Sequence, residues 1–208
     1  MGNYSKEVFR KILHSVAIAL FIVWLYMYDD WKTSVSYFVI AAVIVCPLLF
    51  LASKIPGMTS FFNARKQGEF SLSYLVFVIM YTVVATICWG LIGERMLVLA
   101  CVLAWGPGDA AAALIGKKYG KHKIGRKKTK SLEGTMAMFI FSLLGVLIAL
   151  CFYGKYPLPW VLFISLLTAI VTAITELKVL SGFDTFFCPV AAMAVLVPFE
   201  LMFRYLNM

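Results

Sequence analysis

Two carboxylates flank a glycine- and lysine-rich stretch in the middle of an otherwise apolar chain. Asp109 follows the triplet Gly106–Gly108, and Glu133 lies within the segment Lys130–Thr135, which reads KSLEGT. Carboxylates are the protein ligands that Mg²⁺ prefers, whereas lysines and glycine-rich backbone can hold phosphate. The stretch is not a Walker A loop, because no GxxxxGK[ST] is present. The pattern therefore indicates a metal and phosphate site of another kind.

Asp109 is a charged residue within a candidate membrane span, and such residues are costly and usually functional. Gly106, Pro107 and Gly108 precede it, and this triplet predicts an interrupted helix, since proline removes a backbone donor and glycine loosens a helix. A carboxylate at such a break is suited to a cation. The alternative is a structural pairing of Asp109 with a basic loop residue.

After Asp109 we expect a loop in which glycines alternate with eight Lys and Arg residues. Gly116 and Gly120 could turn backbone amides towards phosphate, and the cations could neutralise it. The alternative is a basic anchor for anionic lipid headgroups. At the end of this loop, Ser131 could cap the next helix with Glu133 in its first turn, or both residues could belong to the site.

Other polar residues are predicted to lie at the same membrane face. Arg10, Lys11 and His14 have the spacing of one helix face, where they could bind phosphate or, in the case of His14, act as a base. Glu176 ends the sixth apolar run, and Asp184 precedes the seventh. Carboxylates next to a cationic loop suit Mg²⁺ together with a polyphosphate.

Composition requires that these residues be positioned by a membrane fold. The 208 residues are 62% hydrophobic and only 14% charged, and the mean hydropathy is +0.91, whereas a soluble domain is about 45–50% apolar. We predict an all-α polytopic bundle that forms a single domain over residues 1–208, with the first span retained rather than cleaved as a signal peptide. The five cysteines form no CxxC pair and are interpreted as small apolar side chains. Seven spans of about 20 residues are predicted: Ile12–Tyr28, Val35–Ala52, Leu72–Gly90, Met96–Ile115, Thr135–Phe152, Trp160–Leu177 and Phe186–Leu206.

The distribution of positive charge orients this bundle. If the N-terminus is cytoplasmic, 15 of the 19 Lys and Arg residues lie inside and four lie outside. The net charge of +9 is thus explained by topology and an anionic ligand, and we expect no nucleic acid partner. The predicted site faces the cytoplasm, as in a bacterial cytoplasmic membrane or an endoplasmic reticulum-type membrane.

The central signature resembles that of the polyprenol kinase family, which includes dolichol kinase, phytol kinase and the CTP-dependent diacylglycerol kinase of yeast. The resemblance is carried by Gly108–Ala112, Gly116, Gly120, Lys123-Ile124 and the KSLEGT segment, and Arg10-Lys11-x-x-His14 is similar to the family's N-terminal motif. In the run Asp184–Pro189, Thr185 stands where the family has Asn. The family is distantly related to phosphatidate cytidylyltransferase.

The resemblance implies phosphoryl transfer, with Mg²⁺ as cofactor and CTP as donor, to the hydroxyl of a membrane lipid such as a polyprenol, a phytol-like isoprenoid or diacylglycerol. It implies that Asp109 and Glu133 bind the metal and that Glu176, Asp184 and His14 complete the catalytic set. The implied nucleotide- and phosphate-binding residues are Gly108, Gly116, Lys117, Gly120, Lys123, Lys130, Ser131, Gly134, Thr135, Arg10 and Lys11.

Two other functions fit parts of the sequence. A phosphatidate cytidylyltransferase would use the same nucleotide and metal to make a CDP-activated lipid. A small-solute transporter would also carry acids within its spans, but its polar groups would gather near the bilayer midplane and an internal repeat would be expected. The sequence specifies neither the lipid nor the oligomeric state.

Overall fold

Seven long helices account for most of the chain. A computed structural model describes residues 3–52, 54–55, 69–124, 130–179 and 182–206. A two-stranded antiparallel hairpin, β1 (Lys123–Ile124) with β2 (Lys130–Ser131), lies between the fourth and fifth helices. The helices are α1 (Asn3–Met27), α2 (Trp31–Ala52), α3 (Glu69–Val84, continued by a π-helical segment Ala85–Leu91), α4 (Arg95–Tyr119), α5 (Leu132–Tyr153), α6 (Leu158–Lys178) and α7 (Asp184–Tyr205).

The helices confirm the predicted all-α membrane fold. In the described part of the chain, seven helices are long and apolar enough to cross a membrane, and each corresponds to one of the seven predicted spans. The largest difference in boundaries is at α1, which begins at Asn3 rather than Ile12, and α4 continues beyond Ile115 to Tyr119. The chain is therefore a multi-pass integral membrane protein whose helices are longer than its apolar runs.

Helix α4 lies at the centre of the bundle. It is the most buried of the seven candidate spans, and it packs most extensively against α5, with further contacts to α1, α7 and α6. Helices α1 and α5 run antiparallel to it, since Lys11 near the start of α1 meets Asp109 near the end of α4, and Gly134 at the start of α5 meets Gly116. A polar residue on α4 is therefore enclosed by protein rather than by lipid.

The predicted interruption at Gly106-Pro107-Gly108 is wrong, because α4 continues through all three residues. Pro107 has no N–H to donate to the carbonyl of Leu103, one turn earlier. That carbonyl faces Gly145 of α5, where an added Cβ would lie 2.4 Å from the Leu103 oxygen. The glycines instead permit close packing, which is the usual way in which membrane helices associate.

The region expected to be a glycine-rich loop is also more ordered than predicted. Gly116 lies in the last turns of α4, and Gly120 is the residue at which that helix ends. The hairpin then pairs Lys123 with Ser131 and returns the chain directly to α5. Residues 125–129, which include Gly125 and three of the eight loop cations, lie outside the described residues.

At the other end of the bundle, an ionic network ties α7 to the segments before α4 and α6. Glu200 of α7 is 2% exposed and accepts hydrogen bonds from the Tyr156 hydroxyl at 2.5 Å and from Arg204 Nε at 2.7 Å. Glu94 accepts from Lys155 and Arg204. Burial and the Glu200 carboxylate raise the pKa of Tyr156 well above its usual range, so its hydroxyl remains a donor at neutral pH.

We predict that Gly145→Ala destabilises the protein by about 1–3 kcal/mol, because the new methyl group would overlap the backbone of α4 rather than a movable side chain. The unfolding free energy in detergent micelles measures this effect. Leu144→Ala on the neighbouring, 46% exposed position is the control, and we expect it to be within about 0.5 kcal/mol of wild type. Equal stability of Gly145→Ala and wild type would show that α4 and α5 are not closely packed there.

Candidate active site

Asp109 of α4 is paired with two basic residues of α1. Lys11 Nζ lies 2.5 Å from Asp109 Oδ2, and His14 Nε2 lies 3.6 Å from the same oxygen. Lys11 is only 4% exposed and the Asp109 side chain 15%, so this is a buried charge pair. A carboxylate can remain ionised within a bundle only when a cation of this kind compensates it.

A second ion pair joins the hairpin to the end of α6. Lys130 Nζ lies 2.7 Å from Glu176 Oε1, and both side chains are largely buried. The same ammonium donates to the backbone carbonyl of Glu176. An acid near a helix C-terminus faces the negative end of the helix dipole, and Lys130 offsets both charges at once.

Asp184 brings the start of α7 to the same place. Its carboxylate interacts electrostatically with Asp109, Lys11 and Lys130, and its Oδ1 accepts a hydrogen bond from the Thr185 amide at 2.9 Å. It also lies in the first turn of α7, where the helix dipole favours a negative charge. The backbone amide of Thr185 thus orients Asp184, although Thr185 lacks the side-chain amide of the Asn that the polyprenol kinase signature has at this position.

Below these charges, four helices meet at a small apolar cluster. This apolar floor consists of Trp105 of α4, Met138 of α5, Ala173 of α6 and Cys188 of α7. His14 packs edge-on against the Trp105 ring with centroids 4.8 Å apart.

On each of the four helices, a polar residue lies three or four positions from the floor residue. This spacing places it on the same helix face, one turn nearer the charged end of the bundle. We call these four residues the polar ring: Asp109, Thr135, Glu176 and Asp184. The site therefore has a polar outer layer directly above an apolar inner layer. In the described part of the chain, the Thr135 hydroxyl is buried with no hydrogen-bond partner.

Glu133 is placed differently from Asp109. Its Oε1 accepts from His122 Nδ1 at 2.8 Å and from the Lys121 amide at 3.2 Å, so it fastens the end of α4 to the start of α5. Glu133 Oε2 is buried without a hydrogen-bond partner among the described residues. The capping role of Ser131 is confirmed, because Ser131 Oγ accepts from the Gly134 amide at 3.2 Å.

The signature glycines lie at the contact between α4 and α5. An added Cβ would be 3.0 Å from Ser131 Oγ at Gly116 and 2.5 Å from it at Gly120. At Gly134 it would be 2.9 Å from the Ala112 carbonyl, and at Gly108 it would be 2.5 Å from the Met138 sulfur. Close packing accounts for these four positions, and their predicted phosphate-binding role stays a prediction.

The remaining predicted phosphate-binding residues lie on the periphery of the polar ring. Arg10 and Lys117 both pair with Glu7, the latter at 3.5 Å, which fastens α1 to the end of α4. Lys123 is exposed on strand β1.

The sequence analysis missed Glu7, whose position three residues before Arg10 could have predicted an ion pair on one face of a helix. It also missed Glu200, an acid in the seventh span that the cost of intramembrane charge should have identified. It had no signal for His122 or Trp105, because their roles depend on residues distant in the chain.

The donor set at the polar ring fits one kind of metal ion. Asp109 and Asp184 each lie one turn from the apolar floor, on helices α4 and α7, which pack against each other, whereas the described contacts do not bring Glu133 to either of them. Among the described residues, no three His, Cys, Asp or Glu side chains form a metal-binding group. Mg²⁺ is commonly held by one or two carboxylates plus waters and substrate phosphates. The ring is suited to such an ion, and not to one enclosed by protein ligands alone.

Comparison with known proteins gives one informative similarity. The chain is 28% identical over 202 residues to a Glycine max protein named probable phytol kinase 1, chloroplastic. The match covers 89% of this chain and 65% of that protein, so the chain spans slightly less than two thirds of the relative's length. No protein-family model matches the chain, and no solved structure matches it.

We predict that the Lys130–Glu176 pair couples by about 0.5–3 kcal/mol in a double-mutant cycle of Lys130→Met, Glu176→Gln and the double variant. Each single change leaves one buried group without its partner, and the double change removes both. Unfolding free energies in detergent provide the four values. Lys123→Met, on the exposed neighbouring strand, is the control for loss of a hairpin lysine. Strictly additive single effects would contradict the pairing.

Proposed function

We propose that this protein transfers the γ-phosphoryl group of CTP to the hydroxyl group of a membrane lipid alcohol. The proposal rests chiefly on the polar ring above an apolar floor at one end of a membrane bundle. A lipid alcohol has the matching polarity, with an apolar tail that remains in the bilayer and a hydroxyl at the level of the acids. The similarity to a protein named as a probable phytol kinase supports the same class of substrate.

In the proposed complex, Asp109 and Asp184 would hold Mg²⁺, which would supply charge neutralisation for the transferred phosphoryl group. Phosphoryl transfer depends mainly on positioning and charge neutralisation. Lys130, already paired with Glu176, contributes a cation near the phosphates. Lys11 and His14 contribute polar groups from α1 on the other side of Asp109. We retain Glu133, through its buried Oε2, as a further candidate ligand.

In the proposed reaction, the lipid hydroxyl oxygen bonds to the γ-phosphorus as the bond from that phosphorus to the bridging β–γ oxygen breaks. The products are a lipid phosphate and CDP. The hydroxyl proton passes to a carboxylate of the polar ring and from there to water. The apolar floor excludes water from beneath the alcohol and so disfavours hydrolysis of the nucleotide.

We further propose that the polar ring faces the cytoplasm, where nucleotides are found. The 15-to-4 distribution of Lys and Arg between the two sides supports this orientation. The N-terminus then lies in the cytoplasm as well.

We predict that purified protein with labelled CTP and a lipid alcohol produces lipid phosphate and CDP, and that Asp109→Asn lowers this rate by about 100-fold or more. A panel of phytol, farnesol, a long polyprenol and diacylglycerol, each with CTP and ATP, identifies the acceptor and the donor. Asp29→Asn is the matched control, because Asp29 is exposed at the far end of α1.

Other products would replace this proposal. A CDP-lipid with pyrophosphate would identify a cytidylyltransferase, and solute flux into liposomes without turnover would identify a transporter. Full activity of folded Asp109→Asn would remove that residue from the catalytic set.

The orientation is tested separately by thiol labelling. In a variant with all native cysteines replaced, we predict that an impermeant maleimide labels Asp29→Cys on intact cells, whereas it labels Lys121→Cys only after permeabilisation. Both positions are exposed, and they lie at opposite ends of the bundle. Labelling of Lys121→Cys alone on intact cells would reverse the topology.

A further inference from the structure

Helix α1 contributes a buried cation to the carboxylates that we propose as metal ligands. The Lys11 ammonium is 2.5 Å from Asp109 Oδ2. An amine that is 4% exposed and contacts this carboxylate has the charge sign of a bound metal ion and lies against an oxygen that such an ion would use. A Mg²⁺ ion on Asp109 would need the oxygen that Lys11 now contacts.

The other cations of the site are committed elsewhere. Lys130 binds the carboxylate and the backbone carbonyl of Glu176, and Arg10 pairs with Glu7. His14 lies farther from Asp109 than Lys11 does, at 3.6 Å. Among the described residues, Lys11 is thus the cation in closest contact with Asp109.

The attachment of α1 makes movement of Lys11 feasible. Helix α1 packs mainly on α4 and only slightly on α2, and the Glu7 contacts hold its first turns independently of Lys11. A lysine has four rotatable side-chain bonds, so its ammonium can leave Asp109 while the helix stays in place.

We infer that Lys11 is the resident counter-ion of Asp109 and that a divalent metal binds at Asp109 by displacing this ammonium. The inference rests on the proposed metal role of this acid. Lys11 stabilises the carboxylate when no metal is bound, and it weakens metal binding in the absence of nucleotide. After displacement, its ammonium is available to phosphate oxygens. Metal and nucleotide are therefore expected to bind more tightly together than separately.

The test measures Mn²⁺ binding in detergent without nucleotide or lipid, by electron paramagnetic resonance of the free ion. We expect Lys11→Met to bind Mn²⁺ about tenfold more tightly than wild type, because the competing cation is gone. Lys130→Met is the matched control, since it removes one lysine charge from the same site but its partner is Glu176, and its affinity should change much less. Unchanged or weaker binding by Lys11→Met, or equal tightening in both variants, would overturn the inference.

A second measurement uses the wild-type protein, so it does not depend on the folding of a variant. Acetylation of lysines by an amine-reactive ester is followed by mass spectrometry with and without Mn²⁺. We expect labelling of Lys11 to rise several-fold with Mn²⁺, whereas Lys130 stays protected and the exposed Lys121 is labelled throughout. No change at Lys11 at saturating Mn²⁺ would refute displacement.

These results are separable from the proposed enzymatic activity. Displacement of Lys11 in a protein that phosphorylates no lipid alcohol would refute the proposed reaction and leave the counter-ion role standing. Phosphoryl transfer by a protein in which Mn²⁺ leaves Lys11 protected would support the proposed reaction and refute the displacement of Lys11.

Discussion

The need to neutralise Asp109 inside the bundle governs the arrangement of the polar end. A carboxylate within a membrane-spanning helix is costly unless a cation and hydrogen bonds compensate it. Lys11 supplies that cation at 2.5 Å, and to do so α1 must lie against the second half of α4. The same requirement is met a second time by Lys130 at Glu176, which fixes the hairpin against α6. Two ion pairs thus determine how α1, the hairpin and α6 surround the polar ring.

Close packing between α4 and α5 supports this arrangement. A Cβ at Gly134 or Gly145 would overlap a backbone carbonyl of α4, and one at Gly108 or Gly116 would press against Met138 or Ser131. Apolar side chains gain little from burial against one another in lipid, so membrane helices depend on this kind of close backbone approach. Because α5 lies so near to α4, Met138 reaches Trp105 and the apolar floor forms directly below the acids. The glycines that first suggest a phosphate loop thus also determine the shape of the site.

Several errors of the sequence analysis share one physical origin. Proline and glycine in the fourth span predict a broken helix from local preferences alone, yet α4 is continuous, and α5 packs closely against the Leu103 carbonyl. Asp109 and Glu133 have different partners, Lys11 and His122 respectively, and their predicted metal role stays a prediction. Glu200 was overlooked at the opposite end, where two tyrosines and an arginine surround it. For the continuous helix and for Glu200, contacts with other segments of the chain, at Gly145 and at Tyr153 and Tyr156, decide the outcome.

The sequence alone determined the class of fold, the number of spans and the fact that the polar residues gather at one end of the bundle. Those properties follow from the length and hydropathy of each run, because a polar group exposed to lipid is costly wherever it lies in the chain. The capping role of Ser131 was also accessible, since it depends on the Gly134 amide three residues away. Only the tertiary structure decided which acid meets which base: Lys11 contacts Asp109, Lys130 contacts Glu176, and His122 contacts Glu133. Pairings of this kind depend on the rotation and depth of packed helices, and no single helix carries that information.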